Sequence, residues 1–185
     1  MPFTPYHCGP GMAVKAAVPR HFSICVFVLT QVAIDLEVLW QLLWSDRPGH
    51  RFFHTYLGAG LVGLVCFLAG KPLSQWLNAG WNRFARWRGL DELCVPVRTS
   101  WPAAFWGAAV GAISHVVLDS LYQPDIEPLW PWSASNPLVL GRHPAMLATV
   151  LSEICLVLGV LGLAVFLFRE KMGRRARDAA EDPPE

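Results

Sequence analysis

Charge is scarce in this chain: 16% of its 185 residues are Asp, Glu, Lys or Arg, against 54% hydrophobic. A soluble domain carries roughly 25% charged residues, so an ordinary soluble fold is not expected. The net charge is only +1. That argues against nucleic acid as a partner, because neutralising phosphates needs a basic excess on one face. Paired cysteines are missing as well. Cys8, Cys25, Cys66, Cys94 and Cys155 stand singly with no CxxC spacing, and read as small hydrophobes. Neither GxSxG nor GxxxxGK[ST] occurs, so nothing points to a serine nucleophile or a phosphate loop. Pro2, Pro5, Gly9, Pro10 and Gly11 interrupt the first stretch before an apolar run forms. No cleavable signal peptide is expected, and the first long apolar helix should stay in the membrane.

What the sequence does have is long apolar runs and a mean hydropathy of +0.36. Crossing about 30 Å of hydrocarbon takes roughly 20 helical residues. Four runs, at about 21–44, 55–70, 102–122 and 145–168, meet or approach that length. The second is the shortest, and tilt or bilayer thinning can accommodate it. The expected fold is all-α: a polytopic membrane bundle of about four spans in one domain over residues 1–170. A short, re-entrant N-terminal helix is drawn over 8–18, ending at Pro19. Residues 74–88, with Trp76, Leu77, Trp81, Phe84 and Trp87 among basic residues, read as a helix on the cytoplasmic surface. Residues 171–185 read as a cytoplasmic, disordered tail, acidic and proline-ended at its tip.

Basic residues set the orientation, because loops rich in Lys and Arg stay cytoplasmic. With the N-terminus inside, twelve cations fall on the cytoplasmic side and only Arg47, Arg51 and Arg142 on the other. Both termini are therefore expected in the cytoplasm of a multi-pass inner-membrane protein. Trp40, Trp44, Trp101, Trp106, Trp130 and Trp132 lie at or beside span ends, where an aromatic belt forms.

Ionisable groups inside such helices are costly, so they face a partner or a wet cavity. Asp35 and Glu37 lie in the first span, His115 and Asp119 in the third and Glu153 in the fourth; His50 and His54 precede the second. His115 and Asp119 are four residues apart, hence on one helix face, and Gly107 and Gly111 continue that stripe. The glycines should let another helix approach closely. At 1.5 Å per residue, Asp35 stands about 22 Å above Arg20, and His115 and Asp119 about as high above Trp101. His7, Asp35, His50, His54, His115 and Asp119 thus form a candidate ligand set near the outer leaflet. Imidazole and carboxylate ligands suit a divalent ion such as zinc or manganese. His7 reaches that level only if residues 8–18 fold back as a helix. Glu37, two residues from Asp35, points to another side of an unbroken helix, and Glu153 reads as an interhelical hydrogen-bond group.

At these residues the chain resembles the bacterial inner-membrane proteins described as metal-dependent hydrolases, the YdjM type, and related membrane domains that open with Met-Pro-Phe-Thr. The matching segments are Thr4-Pro5-Tyr6-His7, Ile34-Asp35-Leu36-Glu37, His50-Arg51-Phe52-Phe53-His54-Thr55, Ser114-His115-Val116-Val117-Leu118-Asp119 and Leu129-Trp130-Pro131-Trp132-Ser133. They follow family order over about residues 1–135. The chain departs from the family's Pro-Asp-x-Asp at Ala33-Ile34-Asp35-Leu36-Glu37, losing a helix break, and has Phe52 where a glycine often follows His-Arg. The resemblance implies a hydrolase holding one or two divalent ions. Asp35 or Glu37 would be the general base, Arg51 would pair with an anionic substrate group, and the loop 123–135, with Asp125 and Glu127, would cover the mouth. A site at the outer-leaflet level favours a lipid or lipid-linked substrate, with a phosphoester as the bond. Membrane lipids are the expected surroundings, and a homo-oligomer is left open. Two other readings compete: a structural or assembly subunit whose polar residues only join helices, and a small ion or proton conduit.

Overall fold

The computed structural model describes residues 6–44, 52–140 and 143–181. Among these residues five helices follow one another: α1 (Cys8–Ala17), α2 (Ile24–Trp44), α3 (Tyr56–Trp87), α4 (Trp101–Tyr122) and α5 (Pro144–Glu181). Four are long and apolar enough to cross a membrane: α2, α3, α4 and the Pro144–Gly173 part of α5. This is the all-α, four-span bundle that the sequence implies.

Local chemistry sets the ends. Thr55 caps α3 by accepting from Gly58 N–H, and Ser100 caps α4 by accepting from Ala103 N–H. Gly89, at φ 69°, stops α3 in the left-handed conformation that glycine adopts without strain. Gly58, Gly60 and Gly63 spell GxGxxG, but inside the first turns of α3 and after a 3-10 turn at Phe52–His54. The strand-to-helix turn that gives that spacing its meaning is absent here.

Two expected boundaries move. The second span and the helix expected at 74–88 are one continuous helix, with Pro72 inside it. Proline removes a single N–H from the ladder, and contacts on either side hold the helix across it, Phe67 against Trp101 before and Ser74 Oγ with Thr99 Oγ1 after. Its far part is covered on one side by the returning chain. Asn82 holds Val95 through both backbone groups, and Trp81 Nε1 donates to Leu93 O. At the other terminus α5 runs on to Glu181, past residue 170 where a disordered tail is expected. Extending an existing helix needs no nucleation, and the Glu, Lys, Arg and Ala of this stretch favour it.

In lipid there is little hydrophobic drive between helices, so close packing of small residues has to hold them. α2 and α4 run side by side in the same direction, with Ser23 N–H bonded to Ala103 O at 3.0 Å. A Cβ on Gly107 would lie 2.5 Å from Ser23 O, and one on Gly111 3.0 Å from Thr30 Cβ. The glycine stripe therefore does what its spacing implies, and the helix it admits is α2. α3 packs antiparallel on α4, where a Cβ on Gly63 would stand 3.2 Å from that of Ala112. Buried Ile34, Ala59, Ala112 and Val116 fill the joint of the three helices. α1 lies along α5 so closely that a Cβ on Gly9 would meet Cys155 O at 1.8 Å. Its C-terminal end is held by Lys15, bonded to Pro19 O and Phe22 O, and by Arg169, bonded to Ala16 O.

Gly107→Ala is expected to lower stability by about 1–3 kcal/mol, because the backbone of α2 must move. Gly60→Ala meets nothing within 4 Å, and should be neutral or stabilising by up to about 1 kcal/mol. Thermal unfolding of both variants in the same detergent checks the contrast.

Candidate metal centre

α2 and α4 share a direction and are locked together by Gly107 and Gly111, so Asp35 is carried to the level of His115 and Asp119. The 3-10 turn before α3 delivers the third element. There Phe53 N–H donates to Glu37 Oε2 at 2.9 Å, Thr55 Oγ1 donates to Phe52 O, and Tyr56 N–H donates to Pro128 O. These bonds fix the chain where His54 turns inward. Gly58 must be glycine for this turn, since a Cβ there would meet Phe52 O at 1.8 Å.

Asp35, His54, His115 and Asp119 each offer one ligand atom, and the four atoms lie within 4.8 Å of one another. His115 Nε2 is 3.3 Å from Asp35 Oδ1 and 3.4 Å from Asp119 Oδ2. His54 Nε2 is 3.8 Å from Asp35 Oδ1 and 3.7 Å from Asp119 Oδ2. Both rings are fully buried and Asp119 nearly so, while the Asp35 side chain keeps 29% exposure and marks the open side.

Donors at these separations suit a small divalent ion: about 2.0 Å ligand distances in a tetrahedron put donor atoms about 3.3 Å apart. His115 Nε2 supports the fit, being buried without a well-aligned hydrogen bond although two carboxylates stand close. Electrostatics favour a cation too. Burial opposes charge on His54, which lies just outside the spans. Hydrogen bonds with Asp35 and Glu37 and the charge of Asp119 outweigh that and push its pKa up to about 9. Carboxylates that hold a proton on His54 would hold a divalent cation in its place.

Behind the four stands a second ring of groups. Glu37 does not face the cluster; its Oε2 lies 3.2 Å from His54 Nδ1, on the far side of that ring. The unbroken helix α2 sends Asp35 and Glu37 to different sides of the imidazole, so Glu37 orients His54 and is not placed as a general base. On α4, Tyr122 O–H donates to Asp119 Oδ1 at 2.7 Å. His7 Nε2 reaches that same oxygen at 3.3 Å, because α1 runs from this level down to the start of α2. Gln31 Oε1 pairs with His115 Nδ1 at 2.5 Å. Gln31 and Tyr122 are the residues that sequence reasoning missed. Both carried a signal: Gln31 stands four residues before Asp35 and Tyr122 three after Asp119, each on the helix face of a candidate ligand.

His50 and Arg51 lie outside the described residues. Glu153 is exposed on α5, and among the described residues no interhelical hydrogen bond of the kind expected for it is formed. In the loop 123–135, Ile126 and Pro128 are buried against the rim, and Trp130 meets Phe52 edge-on at 5.9 Å. Asp125 and Glu127 are exposed.

The family model described as YdjM inner membrane protein matches residues 13–176, which carry all four candidate ligands. No curated protein and no solved structure gives a match.

Proposed function

The chain belongs to the YdjM inner membrane protein family, and from that premise we propose that it is a membrane-embedded, metal-dependent hydrolase of a lipid or lipid-linked phosphoester. One observation carries the reading: four ligand atoms from three separate elements converge inside an apolar bundle, each imidazole being tied at Nδ1 by another side chain. Structural hydrogen bonding alone does not need Nε2 of both rings to point at one spot.

Asp35, His54, His115 and Asp119 would hold the ion, zinc or manganese by the chemistry of the donors. When bound it supplies Lewis acidity, lowering the pKa of water toward neutrality and drawing charge from a phosphoryl oxygen. The protein's own part follows from the geometry. Asp35, the exposed member, is the carboxylate best placed to accept a proton at the mouth. Tyr122 and His7 occupy the rear oxygen of Asp119 and fix that carboxylate with its other oxygen inward. Arg51, which precedes Phe52 in the sequence, would pair with the substrate's anionic group. Burial keeps bulk water from His54, His115 and Asp119, which strengthens their charges.

The site lies toward the Tyr122 end of α4, opposite the end where Lys71 stacks on Trp101 and Arg169 caps α1. With basic residues cytoplasmic, the Tyr122 end meets the outer leaflet, and both termini lie inside. The test is elemental analysis of detergent-purified protein after reconstitution with zinc or manganese, followed by a screen of lipid phosphoesters. About one equivalent or more of bound metal is expected, whereas protein that folds but retains none would refute the proposal.

A further inference from the structure

For Nε2 of a ligating imidazole to present a lone pair, the ring's proton must sit on Nδ1. The two rings meet different acceptors there. His54 faces the carboxylate of Glu37, which has no donor end and imposes this tautomer unaided. His115 faces the amide of Gln31, and an amide has two ends. With its oxygen toward the ring it accepts from Nδ1–H. Turned over, it donates to Nδ1 and drives the proton to Nε2, into the cluster.

Something must therefore orient Gln31, and Ser114, next to His115 on α4, is placed to do so. Gln31 Nε2 donates to Ser114 Oγ at 3.2 Å, while the Ser114 hydroxyl is directed at Gly111 O, 3.4 Å away. With its proton used along α4, Ser114 offers only lone pairs to the amide, so the NH2 end of Gln31 faces Ser114 and the oxygen faces His115. His7 Nδ1 is 3.4 Å from the same His115 nitrogen, farther than the Gln31 oxygen.

We infer that Gln31, oriented by Ser114, is a positioning residue that fixes His115 as the Nδ1–H tautomer and so keeps Nε2 available to a divalent cation. The inference rests on the metal-centre reading above. A merely structural Gln31 would join α2 to α4 without caring which end faces the ring, so the test must read the tautomer as well as binding.

Gln31→Met keeps length and removes the acceptor, whereas Gln31→Glu keeps an acceptor. In full-length protein in nanodiscs with nitrogen-15 histidine, two-bond nitrogen–proton spectra show which ring nitrogen carries the proton. The His115 signals are identified by their loss in His115→Gln. Metal-free wild type and Gln31→Glu are expected to show Nδ1–H at His115, and Gln31→Met a shift toward Nε2–H. Zinc affinity in Gln31→Met should fall about ten- to hundredfold, as outer-shell losses do, and stay within a few-fold of wild type in Gln31→Glu. Nε2–H in the wild type, or an unchanged tautomer and affinity in Gln31→Met, would overturn the inference. If wild type binds no zinc, yet its Nδ1–H at His115 moves toward Nε2–H in Gln31→Met, the metal reading would fall and the Gln31 lock would stand.

Discussion

His115→Ala is expected to cut zinc affinity by at least about a hundredfold, enough to empty the centre during purification. A structural zinc site is worth about 10–16 kcal/mol over four ligands, so roughly 2.5–4 kcal/mol is lost with each. His115 is also the member with most to lose around it. Its ring lies between Asp35, Asp119, Gln31 and His7, and truncation leaves the Gln31 oxygen buried without its donor, at a cost of about 1–3 kcal/mol. Zinc at about 100 times its dissociation constant should raise wild-type stability by roughly 2.7 kcal/mol. The variant should melt lower without metal and show no such rise. Thermal unfolding with and without zinc, beside elemental analysis, checks both parts. A full zinc response in the variant would remove His115 from the ligand set.

Asp119→Asn separates metal binding from folding more cleanly. The side chain keeps its shape, and its rear oxygen can still accept from Tyr122 and lie near His7. With that oxygen to the rear, the inward atom becomes an NH2 facing His54 and His115. Zinc affinity is expected to fall by at least about a hundredfold, the scale set for losing one ligand. Metal-free stability should change by only about 1 kcal/mol. Weaker hydrogen bonds from Tyr122 and His7 act against the fold, but removing one carboxylate from beside Asp35 relieves repulsion. Metal affinity and metal-free melting measured on the same preparation decide the point. If Asp119 only held helices together, the variant would lose stability and show no specific change in metal response.

Much of this arrangement was legible in the residues. Apolar runs of membrane-crossing length can be buried only in a bilayer or a large core, so the four spans follow from composition and length. His115 and Asp119 share a face because helical geometry is fixed, and Gly107 and Gly111 extend it. That α2 would be the helix docking on those glycines was not legible. Their spacing says that some backbone approaches, and the bond from Ser23 to Ala103 shows which. The roles of Asp35 and Glu37 were also beyond the sequence. Helical geometry sends two carboxylates at i and i+2 to different sides, but says nothing of what each side meets. Their parts became clear only when the turn at Phe52–His54 brought an imidazole between them, with one carboxylate on Nε2 and the other on Nδ1.

Pro72 marks another limit. A proline reads as a break, and whether a helix stops or passes through depends on packing on both sides, which no local rule contains. His7 shows the same dependence on distant parts. Its place beside Asp119 follows from α1 lying against α5, through contacts of Gly9 with residues almost 150 positions away.

The sequence by itself determined the solvent this chain folds in, the number of its spans, the shared face of His115 and Asp119, and the kind of chemistry those side chains can do. Each of these depends on composition or on helical repeat, which are local properties. Only the tertiary structure decided which helix meets the glycine stripe, which carboxylate faces the centre and which stands behind a ring, and that His7, Gln31 and Tyr122 belong beside it. Those are contacts between elements far apart in the chain, set by close packing in three dimensions and not written in any one segment.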